Sequence, residues 1–127
     1  MIAWVGLRLM VALAAVRVNW FCRRLPLDQL IDRIREVPAL PESLRRPEVF
    51  VALVNRWYRW LPPRGHRPCL KRSYLLLDLW SRCGLEPKFH LGIRTGENTR
   101  DGHAWVTAEG YDGAENPEDE YHETYVA

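Results

Sequence analysis

The 127-residue sequence predicts an α+β fold, with helices first and a small antiparallel sheet after them. Three observations carry that expectation. Apolar residues recur at helical spacing in successive segments as far as Cys83. The period then changes to two, with Phe89, Leu91 and Ile93 alternating with His90, Gly92 and Arg94. Between segments the chain is punctuated by Pro38, Pro41, Pro62-Pro63, Gly84 and Pro87. The length sets one domain, residues 1–127, with a helical N-terminal half over residues 1–61 and a mixed half over residues 62–127.

Eighteen basic against sixteen acidic residues leave a formal charge of only +2, which argues against a nucleic-acid partner. The charge is uneven: Arg dominates up to Arg100, whereas Glu109 to Glu123 is mostly acidic. Cys22, Cys69 and Cys83 are odd in number and lack CxxC spacing, so neither a disulfide framework nor a zinc ribbon is expected. A reducing cytoplasm fits that usage. His66, His90, His103 and His122 also lack the paired spacing of a zinc site, and no metal or cofactor is expected.

Met1 to Phe21 is apolar, but Arg8 and Arg17 cut its uninterrupted run to Leu9–Val16, well below the ~20 residues that span a bilayer. Val5, Leu9, Leu13 and Val16 recur at helical spacing, which predicts a helix packed on the core by that face; peripheral membrane contact is the alternative, without stable insertion. A second amphipathic helix is expected over Leu27–Val37, with Leu27, Leu30, Ile31 and Ile34 inward. A third runs from about Pro47 to Trp60, burying Val49, Phe50, Leu53, Val54, Trp57 and Trp60.

The fourth helix starts at Pro68-Cys69 and ends at Cys83-Gly84, with Gly84 as a left-handed cap. Leu70, Ser73, Leu77 and Trp80 share one of its sides. Strands follow over Phe89–Arg94 and His103–Ala108, joined by a polar loop at 96–102, with His103, Trp105 and Thr107 on one face. Further strands are expected at Gly113–Asn116 and Tyr121–Val126.

Cys69 at a helix start and His103 on a strand are the two halves of an activated thiol. The helix end favours a thiolate, and an imidazole within reach takes the proton. Lying thirty-four residues apart, the two also fit a bland alternative, a capping Cys and a hydrogen-bonded strand His.

Pro68-Cys69-Leu70-Lys71-Arg72-Ser73, Phe89-His90-Leu91-Gly92-Ile93-Arg94 and Gly102-His103-Ala104-Trp105-Val106, in this order, resemble the transglutaminase-like leader peptidases of lasso-peptide biosynthesis. The resemblance covers roughly Leu61 to Asn116. It implies a papain-like catalytic core over 62–127, with Cys69 as nucleophile and His103 as general base and acid. It also implies a ribosomally made precursor peptide as substrate, a leader-binding (PqqD-like) protein acting in trans, and an ATP-dependent lasso cyclase downstream. No strand-rich leader-reading module is legible in residues 1–61, and the exposed Arg residues with Trp57, Tyr58 and Trp60 form the expected docking surface.

Two positions depart from the family pattern. Thr107 stands where Glu usually follows His-Ala-Trp-Val, and the acidic third member falls on Glu115 instead of an Asp. A turn near Glu109-Gly110 with one bulged residue sets Glu115 opposite His103. A tight turn there sets Asn116 opposite instead, with Asp112 farther along the face, and an Asp112-Gly113 turn brings up His122 and Glu120. An acyltransferase using the same thioester, or a non-catalytic peptide-binding scaffold, are the competing functions.

Overall fold

In the computed structural model, which describes residues 2–60, 68–95, 100–108, 111–112 and 122–127, four helices precede a four-stranded antiparallel sheet. The helices are α1 (Ile2–Arg24), α2 (Leu27–Arg35), α3 (Pro47–Trp60) and α4 (Pro68–Arg82). The strands are β1 (Lys88–Thr95), β2 (Arg100–Ala108), β3 (Tyr111–Asp112) and β4 (His122–Val126), in spatial order β3-β2-β1-β4. This is the α+β arrangement that the change of period predicts.

Helix α4 is the axis of the packing. It touches all three other helices and lies against β1 and β2, so that its residues Lys71 and Ser73 through Trp80 are all buried. Pro68 opens it, where a missing N–H costs nothing. It closes in a Schellman motif: Leu85 donates its N–H to the Trp80 carbonyl and Gly84 to that of Ser81, with Gly84 at φ +81°. Leu30, Ile31 and Ile34 of α2 and Phe50, Leu53 and Val54 of α3 meet it in one core, as their spacing predicts. Trp80 Nε1 donates to the Pro47 carbonyl at 3.0 Å, which pins the start of α3 to α4.

Helix α1 forms as expected but faces the other way. Leu7, Val11, Ala14, Ala15 and Val18 enter the core, whereas Val5, Leu9, Leu13 and Val16 are exposed. Both faces of this helix are apolar, so period alone cannot choose between them. Small residues settle it, because Ala14 and Ala15 let α1 approach α4 closely. Trp57 and Tyr58 are half-buried against the core and do not stand free as a docking surface; Tyr58 Oη donates to the Lys71 carbonyl at 3.3 Å.

The sheet is centred on β1. Its pairing with β2 runs from Lys88↔Thr107 to Thr95↔Arg100, so β2 begins three residues before the polarity alternation becomes legible. On its other side β1 pairs with β4, with a bulge where the register shifts between Leu91 and Gly92. Phe89, Ala104 and Val106 turn toward the helices, and the Phe89 ring stacks on Tyr74 of α4 with centroids 5.3 Å apart. The third strand lies at Tyr111–Asp112; residues 113–116, expected to form it, lie outside the described residues.

One buried carboxylate joins three helices. Asp78 of α4 accepts from Arg17 Nη1 of α1 and from Arg82 Nε, each at 2.6 Å. The same Arg17 guanidinium donates to the carbonyls of Arg33, Ile34 and Glu36 at the C-terminal end of α2, the Arg33 carbonyl accepting the Glu36 N–H as well. Asp78→Ala strands two charges in a largely desolvated site and should cost about 3–5 kcal/mol in urea unfolding, against less than about 1 kcal/mol for Arg33→Ala at the exposed Arg33–Glu36 pair. Ser73 gives the opposite sign. Its hydroxyl is fully buried with no hydrogen-bond partner among the described residues, so Ser73→Ala should leave stability unchanged or raise it by up to about 1 kcal/mol.

Candidate functional site

Cys69 is the second residue of α4, in the turn whose N–H groups have no intrahelical acceptor. The 15-residue helix behind it is held on every side, so the position of that first turn is set by the core. Two and three residues further along come Lys71, whose ammonium donates to Asn19 Oδ1 at 2.9 Å, and Arg72, whose Nε donates to Asn55 Oδ1. Both cations of the Cys-Leu-Lys-Arg-Ser stretch are thereby anchored to α1 and α3.

Position 103 is on β2, paired with Gly92 of β1. The partner residue, Gly92, is buried and adds no side chain of its own at that rung. Two rungs along, His90 and Trp105 are a cross-strand pair whose rings are stacked at 5.3 Å and only 5° from parallel. His90 Nε2 and Thr107 Oγ1 are hydrogen-bonded at 2.7 Å. These contacts put His90, Trp105 and Thr107 on one face of the sheet, opposite to Phe89, Ala104 and Val106. Trp105 and Thr107 share that face, as the sequence alternation predicts for these two.

The side chains of Cys69 and His103 and the whole of Glu115 and Asn116 lie outside the described residues. The connection after β2 pairs Ala108 with Tyr111 and Thr107 with Asp112, the two-residue register for which the sequence reading sets Asn116 opposite position 103; the bulged register that favours Glu115 does not appear in these two pairs. Asp112 thus sits across from Thr107. The alternative that brings His122 opposite position 103 does not occur, because β4 pairs with β1 and His122 lies across from Ile93.

Sequence reasoning passed over His90 as a site residue. Its signal was present only in the cross-strand register, since nothing in the one-dimensional pattern brings 90 beside 105 and 107. The two described thiols are set apart from reactive chemistry. Burial pushes the Cys83 thiol up to about 11, and burial likewise raises that of Cys22, against the opposing pull of the Lys71 ammonium. Tyr58 is also held above the usual phenol range by burial first and by the neighbouring Cys22 second.

Comparison with known families finds that residues 12–126 match the transglutaminase-like superfamily. Comparisons with curated proteins and with solved structures give no match. With a helix-start cysteine, a strand histidine position and a family match that extends over nearly the whole chain, this protein belongs to the transglutaminase-like superfamily of cysteine peptidases and acyltransferases.

Proposed function

We propose that the chain is a cysteine peptidase that removes the leader from a ribosomally made lasso-peptide precursor, ahead of ATP-dependent macrolactam formation by a separate cyclase. The observation that carries this reading is the pair of motifs, Cys69-Leu70-Lys71-Arg72-Ser73 at the start of a helix and His103-Ala104-Trp105-Val106 on a strand, within a transglutaminase-like domain. It acts in the cytoplasm, where Cys69 stays reduced.

The chemistry follows from those roles. His103 takes the proton of Cys69, whose sulfur attacks the carbonyl carbon at the end of the leader. The oxyanion that forms is met by N–H groups of the first turn of α4. His103 gives its proton to the departing amine, which becomes the N-terminus of the core peptide, and a thioester to the leader remains. Water, deprotonated by His103, then attacks the thioester; the leader leaves as a carboxylate and the thiol is restored. Glu115 orients the imidazole and stabilises its charged form without taking the proton.

The leader is read by a PqqD-like protein supplied in trans. The exposed Arg45, Arg46, Arg56 and Arg59 of the helical half suit an acidic surface on that partner or on the leader itself. An acyltransferase would share every step up to the thioester and then pass the acyl group to an amine. Mass spectrometry of the leader fragment separates the two: a free carboxylate marks hydrolysis, and a crosslink marks transfer.

Three outcomes test the assignment. Iodoacetamide at neutral pH should label Cys69 first, because a thiol at about 11, such as Cys83, is only about 10⁻⁴ ionised at pH 7. Labelling of Cys22 or Cys83 at an equal rate in the folded chain would remove the case for a dedicated nucleophile. In leader-cleavage assays Cys69→Ala should abolish turnover while Glu115→Gln lowers it less; a wild-type rate for Glu115→Gln beside a deficient Asp112→Asn or Asn116→Ala would transfer the orienting role. Cleavage by the chain alone should be weak and rise strongly when the leader-binding partner is added, since tethering supplies substrate at about millimolar effective concentration. Full activity of the isolated chain at low substrate would contradict that dependence.

A further inference from the structure

Helix α1 carries a feature that neither the core nor the peptidase chemistry uses. Trp4, Val5, Leu9, Leu13, Val16 and Trp20 are between 53% and 68% exposed, and six of the seven exposed large hydrophobic residues in the described structure belong to this one helix. At 100° per residue, Val5, Leu9, Leu13, Val16 and Trp20 fall within one narrow arc, directly opposite the buried Leu7, Val11, Ala14, Ala15 and Val18. From Val5 to Trp20 the stripe is about 22 Å long. A helix that is apolar all round is normally covered on all sides.

The charges indicate what covers it. The 23 residues of α1 include no Asp or Glu, and Arg8, Arg23 and Arg24 are exposed beside the stripe. Arg24 stacks over the Trp20 ring at 3.9 Å, a cation seated where an interfacial tryptophan meets lipid headgroups. A second copy of this helix would bring only further Arg to these flanks, whereas an anionic lipid surface supplies both the apolar layer and the complementary charge. We propose that α1 docks this protein on anionic membranes, lying in the plane of the interface with Val5, Leu9, Leu13, Val16 and Trp20 in the acyl boundary and the Arg side chains reaching the phosphates.

By length and composition α1 would also pass for a spanning helix. Its inner face forbids that in the folded state, because Leu7, Val11 and Val18 are core residues and Arg17 is fixed to Asp78. The in-plane orientation keeps the core intact and leaves α4 and the sheet on the aqueous side. It does not depend on the peptidase assignment.

The test is flotation of the purified full chain with vesicles of phosphatidylglycerol and phosphatidylcholine, and with phosphatidylcholine alone. Binding should be about tenfold or more stronger to the anionic vesicles. The exposed double substitution Leu9→Glu with Leu13→Glu should abolish flotation while leaving the urea midpoint unchanged, and Arg8→Gln with Arg23→Gln should weaken it by roughly tenfold. Bound protein should be released by alkaline carbonate, as a helix lying in the interface is. Failure of the folded wild-type chain to float overturns the proposal. If the unlipidated chain is then a dimer by light scattering that Leu9→Glu with Leu13→Glu dissolves, the face belongs to a second copy. Carbonate-resistant binding with loss of the folded core would replace the in-plane geometry by a spanning one.

Discussion

The Asp78 carboxylate is the point on which the helical half turns. Burying it is unfavourable by several kcal/mol unless it is fully paired, and both of its oxygens are taken, one by Arg17 and one by Arg82. Arg17 cannot serve Asp78 without α1 crossing α4 at that height, and the same guanidinium reaches the carbonyl end of α2. One ion therefore fixes the relative placement of three helices, which hydrophobic contact, being non-directional, would leave free to slide. The consequence runs to the far end of α4. Asp78 lies nine residues, about 13.5 Å, beyond Cys69 on the same helix, so whatever locks the middle of α4 also locks the turn that carries the cysteine.

Much of this was legible in one dimension. The Pro-bounded starts, the Gly84 stop and the change of period at Pro87 are local chemistry, and α2, α3, α4, β1 and β2 formed where those signals lie. What escaped depends on partners distant in sequence. Arg17 reads as an interruption of an apolar run until Asp78, sixty-one residues away, is seen to meet it. The inward face of α1 escaped for another reason: both arcs are apolar, and the larger residues, Leu9, Leu13 and Val16, are on the outer one. Close packing favoured the arc with Ala14 and Ala15, because two helices approach further across small side chains than hydrophobicity by itself would indicate.

At the site the same division holds. The position of Cys69 at a helix start and of His103 on a strand follow from local pattern. A third member of the constellation depends on the register after Ala108, where one residue decides which side chain comes to a given face. The described pairs, Thr107 with Asp112 and Ala108 with Tyr111, begin that strand in the two-residue register. Glu115 falls beyond them, and its proposed role rests on the spacing in the proteins that the sequence resembles and not on this register.

Thr107 has a physical counterpart on the neighbouring strand. His90 is buried and stacked flat on Trp105, so its ring nitrogens need partners that fit between two packed strands. A Thr at 107 meets Nε2 at 2.7 Å with a short neutral hydroxyl that can donate or accept as the tautomer requires. A Glu there would place a charged carboxylate against the buried ring, on the same strand that carries position 103. With Thr, the His90–Trp105 stack holds β1 and β2 together without adding charge beside the candidate general base. Thr107 is thus coherent with His90, its diagonal neighbour on β1.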